Sequence, residues 1–328
     1  MKRKIILIIS SLLAAIIIAL VLIPVITPVP MSLIMRMFFE SPQLDPPEGY
    51  DEMSAAVTVL NDLEYPSLHP DNTFDLYLPT GEEEPRPVIL WVHGGAYVGG
   101  DKRDARYYST ALASEGYAVV SMNYRRAPEG KYPVPIVQMG ELCAWLCELS
   151  GEYNLDMTRL VLAGDSAGAH SAATFALIHT NPAYAEESGL AATLPAETIK
   201  GVLLYCGPFD VGMTGKTEGI FGFMILQAGW AYFGTRNWAE EYSDIAAPGN
   251  YVTADYPPAF ITDGNTASFE PQGKKFAGEL EAAGAPVTSY FIPLETEKTI
   301  HEYQFMMNTP SGRECYRRTL LFLEQYLR

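Results

Sequence analysis

The sequence predicts an α/β protein built on a mostly parallel, eight-stranded sheet with helices on both faces. Three observations support this prediction. The chain has 328 residues, of which 48% are hydrophobic, enough for one large core. Short β-rich runs alternate with longer helical patterns, which is typical of a parallel sheet. A charge-free stretch from Ile5 to Ile23 precedes all of these runs and predicts a separate N-terminal helix.

The predicted strands follow one another along most of the chain. The first two are close together, so we expect the sheet to begin with an antiparallel pair. The later strands are separated by intervals long enough for crossover helices. Binding sites in such sheets form at the carboxyl ends of the strands. Strands are predicted at 56–60, 74–79, 87–93, 117–124, 159–164, 201–207, 258–264 and 286–292, and helices at 105–115, 137–149, 167–178, 271–283 and 312–327.

The interval 211–255 interrupts the alternation of strands and helices. It includes the run GIFGFMILQAGWAYFGTRNW, which is rich in large apolar side chains and lies between two predicted core strands. These features favour a cap inserted over a site. An ordinary helical crossover is the alternative.

The N-terminus has the pattern of a membrane anchor. The basic start MKRK is followed by 19 residues without a charge, close to the roughly 20 needed to span a bilayer. The basic start favours a cytoplasmic N-terminus and an extracytoplasmic domain on a single-pass protein of the cell membrane. A cleaved signal peptide and a secreted product are the alternative. The predicted units are an anchor over 1–30, a juxtamembrane linker over 31–49 and one domain over 50–328, and residues 31–39 are expected to form a helix at the membrane surface.

The charge of the domain excludes some classes of partner. The chain has a net charge of −17, and from Glu40 onward 18 basic residues face 39 acidic ones. Such a domain is repelled by phosphate backbones and by anionic lipid, so we expect no nucleic-acid partner. The four cysteines show neither metal-ligand spacing nor a disulfide framework, which favours a packing role.

The segment VLAGDSAGAH, residues 161–170, predicts a nucleophile. Gly164 and Gly168 flank Ser166 as G-x-S-x-G, directly after one predicted strand and before a predicted helix. Glycines on both sides let strand and helix approach each other around a strained serine. The serine oxygen then lies near a helix N-terminus, which favours developing negative charge. We therefore expect Ser166 to be a nucleophile.

A second glycine-rich segment, WVHGGAYVGG at 91–100, follows another predicted strand. The glycines at 94 and 95 leave backbone N–H groups accessible because no side chain covers them. Together with the N–H of Ala167, those of Gly94 and Gly95 are predicted to form an oxyanion hole. A plain glycine-rich turn is the alternative.

These segments carry a resemblance to a known family. The blocks HGGAY (93–97), YRRAPEGKYP (124–133) and GDSAG (164–168), followed by the weaker matches YPPAFITDG (256–264) and HEYQF (301–305), resemble the α/β-hydrolase fold and, within it, the hormone-sensitive-lipase-like carboxylesterases. The family's third glycine is replaced here by Ala96. The resemblance covers residues 50–328. It implies a serine carboxylesterase that hydrolyses small-molecule esters through an acyl-serine, with no metal or organic cofactor.

The resemblance also implies the base. In this family the histidine lies after the last strand and before the C-terminal helix, the position of His301. A neutral imidazole there takes the serine proton and later returns it to the leaving group.

The acid of the predicted triad departs from the family pattern. The resemblance implies a carboxylate three residues after Gly264, but this chain has Ala267 at that position. The substitutes visible in the sequence are Asp263 and Asp210, and Glu270 is a less favoured third candidate. We predict Asp263 as the acid, with Asp210 as the alternative.

Two other functions stay open at this point. Ala267 motivates a catalytically impaired hydrolase fold used as a surface binding protein. An amidase or peptidase would use the same triad, since leaving-group preference depends on pocket shape. The aromatic residues of the interval 211–255 suggest an apolar acyl or alcohol pocket, although sugar acetyl groups are an equally open substrate class.

Overall fold

A computed structural model describes residues 24–39, 45–81 and 84–327 of the chain. Eight strands form one sheet in the order β1-β2-β4-β3-β5-β6-β7-β8. β2 is antiparallel to both β1 and β4, and all other neighbours are parallel. The predicted eight-stranded, mostly parallel sheet is confirmed. The strands are β1 Val57–Glu64, β2 Thr73–Pro79, β3 Arg86–Val92, β4 Ala118–Met122, β5 Leu155–Asp165, β6 Ile199–Tyr205, β7 Ala259–Asp263 and β8 Val287–Phe291.

Helices cover both faces of this sheet. Along β3, Val88 and Leu90 pack into one apolar cluster, while Ile89 and Trp91 pack into the cluster on the opposite face. This alternation of side chains in a strand is what allows one sheet to bury two layers of helices. The helices are α1 Val29–Phe39, α2 Tyr50–Ala55, α3 Arg106–Ser114, α4 Val134–Leu149, α5 Ala167–Thr180, α6 Pro182–Ser188, α7 Val211–Thr214, α8 Gly219–Phe233, α9 Trp238–Glu241, α10 Glu270–Ala283 and α11 Pro310–Leu327.

The two faces take different helices. Residues of α4, α5 and α10 belong to the cluster that contains Leu90, and residues of α3 and α11 belong to the cluster that contains Trp91. The five helices predicted between or after the strands are all present, with ends that differ by a few residues at most.

The interval 211–255 contains α7, α8 and α9 between β6 and β7. Residues of these helices form a third apolar cluster, separate from the two that cover the sheet. This cluster includes Tyr97 and Ala167, which lie at the carboxyl edge of the sheet. The interval therefore lies over the edge at which a site was predicted.

Residues 31–49, predicted as a linker, begin inside the folded domain. Helix α1 packs against α8, and Met35 is buried in the same cluster as Trp238. Arg36 donates to the carbonyls of Val98 and Ala127 and pairs with Glu129 at 2.8 Å. These contacts make α1 part of the structure around the site.

The predicted anchor, Ile5 to Ile23, lies outside the described residues. Among residues 24–39, 45–81 and 84–327, no helix has the length and apolar character needed to cross a bilayer.

Candidate active site

Ser166 lies at the sharp turn between β5 and α5. Its backbone angles, φ 51° and ψ −118°, are a strained combination for a residue other than glycine. Gly168 makes this turn possible, because a Cβ there would collide with the backbone carbonyl of Val92 on β3. The turn places the Ser166 side chain, which is largely buried, at the carboxyl edge of the sheet. This is the strand-turn-helix context that the G-x-S-x-G pattern requires.

His301 faces Ser166 from the loop after β8. The distance from His301 Nε2 to Ser166 Oγ is 3.0 Å, a normal hydrogen bond. Burial lowers the pKa of the His301 imidazole to about 4, so the ring is neutral at physiological pH. A neutral ring with its Nε2 lone pair toward the hydroxyl is the state that a general base needs.

A second serine, Ser268, lies behind the imidazole. Its Oγ is 2.6 Å from His301 Nδ1, and its hydroxyl also hydrogen-bonds Asp263 Oδ1. A hydroxyl has one proton to donate, and an ionised carboxylate can only accept. Ser268 therefore donates to Asp263 and accepts from the Nδ1–H of His301. This direction fixes the tautomer that leaves Nε2 free to accept from Ser166.

Asp263, the predicted acid, thus reaches His301 through a hydroxyl rather than directly. The carboxyl group is fully buried at the end of β7. Burial raises its pKa to about 7, although hydrogen bonds from Ser268 and Cys206 and from the backbone of Gly264 act in the opposite direction. The carboxyl group consequently changes its charge near neutral pH.

The other acid candidates are engaged elsewhere. Asp210 caps α7 by accepting from the N–H of Met213 at 2.8 Å, and its second oxygen pairs with Lys275 at 3.0 Å. Glu270 pairs with Lys274 at 2.9 Å along α10. Neither carboxylate contacts the imidazole. The alternative assignment of Asp210 is therefore not supported by its contacts.

Ala267, which stands where the family has its acid, is exposed and has a left-handed backbone with φ 49°. The next residue, Ser268, is half-buried and faces His301. The loop thus directs residue 268 inward and residue 267 outward. Sequence reasoning missed Ser268 because only the loop conformation shows which residue faces the histidine.

The predicted oxyanion donors need one correction. The N–H of Gly94 donates to Asp165 Oδ2 at 2.8 Å, so it is not free for a substrate oxygen. The other carboxylate oxygen of Asp165 accepts from Trp91 Nε1 at 2.8 Å. Asp165 therefore ties the glycine loop to the end of β5. Within the part of the chain that the structure describes, the N–H groups of Gly95 and Ala167 have no hydrogen-bond partner.

The N–H of Ala96 is likewise unpaired among the described residues, and Ala96 lies beside Ser166 in the wall of the site. Gly95 has φ 98°, and a Cβ there would collide with the carbonyl of Gly99. The loop is therefore tightly folded and requires glycine at position 95. The available donors next to Ser166 are Gly95, Ala96 and Ala167.

Two cavities meet at Ser166. The first is almost entirely apolar and is lined by Trp238, Phe233 and Phe269 and by Ala167. The second contains His301 and opens between α1 and α8. Its wall combines apolar side chains with a group of three acidic residues, Asp104, Asp165 and Glu302. The histidine lines only the second of these two cavities.

One of these acidic residues approaches His301. Glu302 Oε1 lies 3.6 Å from His301 Nε2. Burial raises the pKa of Glu302 to about 7, and burial raises the pKa of its neighbour Asp165 far above the ordinary value. Glu302 is thus a second group near the imidazole whose charge changes around neutral pH.

Three further histidines have structural partners. His93 contacts the Gly94 carbonyl at 2.7 Å, and His170 bridges the Tyr97 hydroxyl and the Ala246 carbonyl, each at 2.8 Å. His179 contacts the Phe175 carbonyl at 2.7 Å. Cys206, Asp263 and His301 each bring one potential metal ligand within 4.8 Å of the others. Because Ser268 already bridges two of them and burial raises the pKa of the Cys206 thiol, the hydrogen-bonded chain accounts for this grouping.

Fold and site together place the chain among the α/β-hydrolases, with a Ser166–His301 pair at the carboxyl edge of the sheet. The family model BD-FAE matches residues 74–274, and the chain belongs to this family. This match confirms the predicted membership among α/β-hydrolases of the esterase type.

Individual relatives are more distant. The chain is 29% identical to "Esterase LipQ" of Mycobacterium tuberculosis over 210 residues, 62% of this chain and 48% of that protein. It is 28% identical to "Carboxylesterase NlhH" of the same organism over 264 residues, 77% of each chain. The chain thus spans only about half the length of relatives such as LipQ. Among solved structures, esterase B of Lactobacillus rhamnosis superposes with a TM-score of 0.73 at 23% identity, covering 87% of this chain and 89% of the other.

Proposed function

We propose that this protein is a membrane-anchored serine carboxylesterase with Ser166 as nucleophile and His301 as base. The observation that carries the proposal is the continuous hydrogen-bonded chain Asp263–Ser268–His301–Ser166. This chain links a buried serine through a neutral histidine to a buried carboxyl group, which is the arrangement used in nucleophilic catalysis. The esterase names of several relatives agree with it.

The hydrogen bonds define the sequence of proton transfers. Ser166 Oγ attacks the ester carbonyl carbon while its proton moves to His301 Nε2. The imidazolium then donates that proton to the leaving alcohol as the carbon–oxygen bond breaks, which leaves an acyl-serine. Water deprotonated by His301 next attacks the acyl carbon. The bond between that carbon and Ser166 Oγ then breaks, His301 returns the proton to Oγ, and the carboxylic acid is released. We assign the stabilisation of the oxyanion to the N–H groups of Gly95, Ala96 and Ala167.

The two cavities suggest how the ester is oriented. The leaving oxygen must lie near His301 Nε2 to receive its proton, so the alcohol belongs in the cavity that His301 lines. The acyl group then occupies the first cavity. Because Phe233, Trp238 and Phe269 line that cavity, it suits a short apolar acyl group.

We assign the acid role to Asp263 acting through Ser268. The imidazolium formed during the reaction is stabilised when its Nδ1–H has an acceptor that is itself bonded to a carboxylate. Ala267 was the motive for considering an impaired binding protein, and Ser268 supplies the contact that Ala267 lacks. This arrangement supports an active enzyme over a silent one.

For localisation, we propose that residues 5–23 span the cell membrane and hold the domain outside the cytoplasm. The support is the charge-free run of 19 residues behind a basic start. A cleaved signal that releases the domain would leave no such anchor. Detection of the full-length chain in the membrane fraction, digestible by protease added to intact cells, is the expected result.

The test of the chemistry is hydrolysis of p-nitrophenyl esters from acetate to decanoate by the full chain in phosphatidylcholine nanodiscs. We expect turnover that is highest for the short acyl chains. Ser166→Ala should lower kcat by about 10⁵-fold or more. Ser188→Ala, at a serine at the end of α6 whose hydroxyl donates to the Ala185 carbonyl, is the matched control and should retain full activity.

Two outcomes would contradict the proposal. Equal rates for the unsubstituted chain and Ser166→Ala on every ester would favour a binding protein. Faster cleavage of acetyl p-nitroanilide than of p-nitrophenyl acetate would favour an amidase, since the two substrates share the acyl group.

A further inference from the structure

Exposed apolar side chains concentrate around the mouth of the site. Seventeen large hydrophobic residues of the described chain are exposed, and eleven of them lie on the segment 25–38 or on α8. Water-exposed helix faces in soluble domains are normally polar. A contiguous apolar patch of this kind marks a surface that contacts another apolar phase.

On α1 the exposed residues form a helical stripe. Val29, Leu33 and Met37 are spaced by four residues, and Ile34 and Phe38 continue the same face. Met37 is 76% exposed and Phe38 77% exposed. The opposite face carries Met35 and Ser32, which are buried. The helix is thus packed on the domain by one face and has a second apolar face without a protein partner among the described residues.

Helix α8 lies beside it and extends the patch. Ile220 is 83% exposed, and Phe221, Phe223 and Leu226 are each more than one third exposed. The helix sequence, Gly219–Phe233, contains no charged residue. Since α1 and α8 pack together, their exposed faces form one surface, which we call the mouth surface.

The charge on α1 is already paired with protein groups. The one charge on α1 is Arg36, which is held by Glu129 and by the backbone carbonyls of Val98 and Ala127. The domain from Glu40 onward is strongly acidic, with 18 basic residues against 39 acidic ones. An acidic domain is repelled by anionic headgroups, so the fitting partner is a lipid surface without net charge.

The charge-free segment that precedes the described residues also favours a lipid surface as the partner. The charge-free run ends at Ile23, immediately before the described chain begins at Pro24. The carbonyls of Pro24 and Val25 accept hydrogen bonds from Gln227 of α8 and from Arg236 just beyond it. The residues that directly follow the proposed anchor are therefore fastened to α8 and to the turn just beyond it.

The cavity that contains His301 opens in this surface. Phe38 of α1, Phe221 of α8 and Met306 form its rim, and all three are exposed. A molecule dissolved in the bilayer would thus meet an apolar rim before it reaches the catalytic group.

We propose that the mouth surface rests on a zwitterionic lipid bilayer and that the enzyme takes short-acyl esters of apolar alcohols directly from that bilayer. The inference rests on the proposed function, both its membrane anchor and its ester hydrolysis. It adds the orientation of the domain and the class of alcohol.

The orientation is tested by fluorescence quenching in vesicles of phosphatidylcholine brominated on its acyl chains. Phe223→Trp places an indole in the mouth surface at a residue that does not line the cavity, and Leu321→Trp places one on α11. The two sites are similarly exposed, 42% and 50%. Relative to the unsubstituted full chain, we expect strong quenching of the added Phe223→Trp emission and none for Leu321→Trp. Equal, weak quenching at both sites would overturn the proposal, whether water or a second copy of the chain covers the surface.

The substrate class is tested with two esters that share the acetyl group. Hexadecyl acetate resides in the bilayer, whereas p-nitrophenyl acetate reaches the site from water. In phosphatidylcholine vesicles, Met37→Ser combined with Ile220→Ser should lower hexadecyl acetate turnover by about fivefold or more and change p-nitrophenyl acetate turnover by less than about twofold. Leu321→Ser is the matched control and should change neither.

The outcomes of the ester assays and of the quenching experiment distinguish a failure of this inference from a failure of the proposed function. Hydrolysis of both esters with no selective loss in the double variant would overturn bilayer uptake and leave the esterase intact. Hydrolysis of neither ester would overturn the esterase and the substrate class, while the quenching result would still decide the orientation. Preference for methyl palmitate over hexadecyl acetate would overturn the assignment of the apolar group to the alcohol side.

Discussion

The ends of β5 and β7 supply the two ends of the same hydrogen-bonded chain, and they are built differently. At the end of β5, a contiguous motif sets Ser166 on a strained turn that Gly168 makes possible. At the end of β7, the carboxyl group comes from Asp263, and a hydroxyl from a loop is inserted between it and His301. In the proposed mechanism the nucleophile depends on a single backbone geometry, whereas the acid needs only a hydrogen-bonded path to the imidazole. That difference accounts for a site that keeps the serine motif while Ala267 stands at the position where the family pattern implies the acid.

The largest effect at the β7 end should come from Asp263→Asn. The neutral amide neither stabilises the imidazolium nor imposes one direction on the Ser268 hydroxyl, so the wrong histidine tautomer becomes accessible. We expect kcat for p-nitrophenyl acetate to fall by about 10²–10⁴-fold at pH 8. Asp255→Asn, at an exposed aspartate, is the matched control. A rate close to that of the unsubstituted chain would remove Asp263 from the catalytic group.

Removal of the Ser268 hydroxyl should lower kcat less than Asp263→Asn does. Ser268→Ala leaves the His301 Nδ1–H without its acceptor and should lower kcat by about 10–100-fold, because the ring loses the group that orients it. A carboxylate placed at the same position should restore that contact. We therefore expect Asp263→Asn combined with Ser268→Asp to be at least about tenfold faster than Asp263→Asn alone. No recovery in a folded double variant would argue against Ser268 as the residue that orients the ring.

The dependence on pH follows from two pKa values. Burial lowers the pKa of His301 to about 4, and burial raises the pKa of Asp263 to about 7. Above pH 7 the Asp263 carboxylate is charged and can only accept from Ser268. Below pH 7 the protonated carboxyl group has lost the charge that stabilises the imidazolium, and its O–H can donate to Ser268 instead. kcat/KM should therefore fall as the pH decreases through about 7, long before His301 is protonated.

Asp263→Asn should remove the decrease of kcat/KM through about pH 7, which is the acid limb of the pH profile. Glu302 also faces His301, and burial raises its pKa to about 7, with Asp165 and Asp104 beside it. Glu302→Gln is therefore the control, and it should retain the limb. If the decrease disappears in Glu302→Gln and persists in Asp263→Asn, the titrating group is Glu302 and the prediction is wrong.

The smallest effect on activity is expected for Asp210, the alternative acid. Asp210→Ala removes the cap of α7 and the pair with Lys275. It should lower the free energy of unfolding by about 1 kcal/mol, because caps are worth that much and partly exposed ion pairs add little. kcat should stay within about twofold of the unsubstituted value. A collapse of kcat with unchanged stability would reverse the assignment of the acid.

Much of the fold follows from local patterns. The alternation seen along β3, with Leu90 on one face and Trp91 on the other, reflects side chains that are apolar throughout a buried strand. The sequence of helix α1 does not determine its surroundings, because an apolar segment such as Met31–Phe39 fits both a membrane surface and a protein cap. The burial of Met35 against α8 and the exposure of Met37 show that one helix presents an apolar face to each side.

The sequence predicts only part of the site. Ser166 and His301 could be found because one motif and one position relative to the strands specify them, and the structure brings them to 3.0 Å. Ser268 could not, because its contact depends on the left-handed backbone at Ala267, which turns one side chain outward and the next one inward. The Gly94 N–H was assigned to the oxyanion because its competitor, Asp165, is 71 residues away in the chain.

The most direct test of the central claim is a double-mutant cycle of Asp263→Asn and Ser268→Ala, followed by kcat for p-nitrophenyl acetate. If Asp263 acts on His301 only through Ser268, the double variant should be no slower than Asp263→Asn alone, because the second substitution interrupts a path that is already broken. If the two losses multiply, Asp263 and Ser268 act on the histidine independently, and the linear chain is wrong.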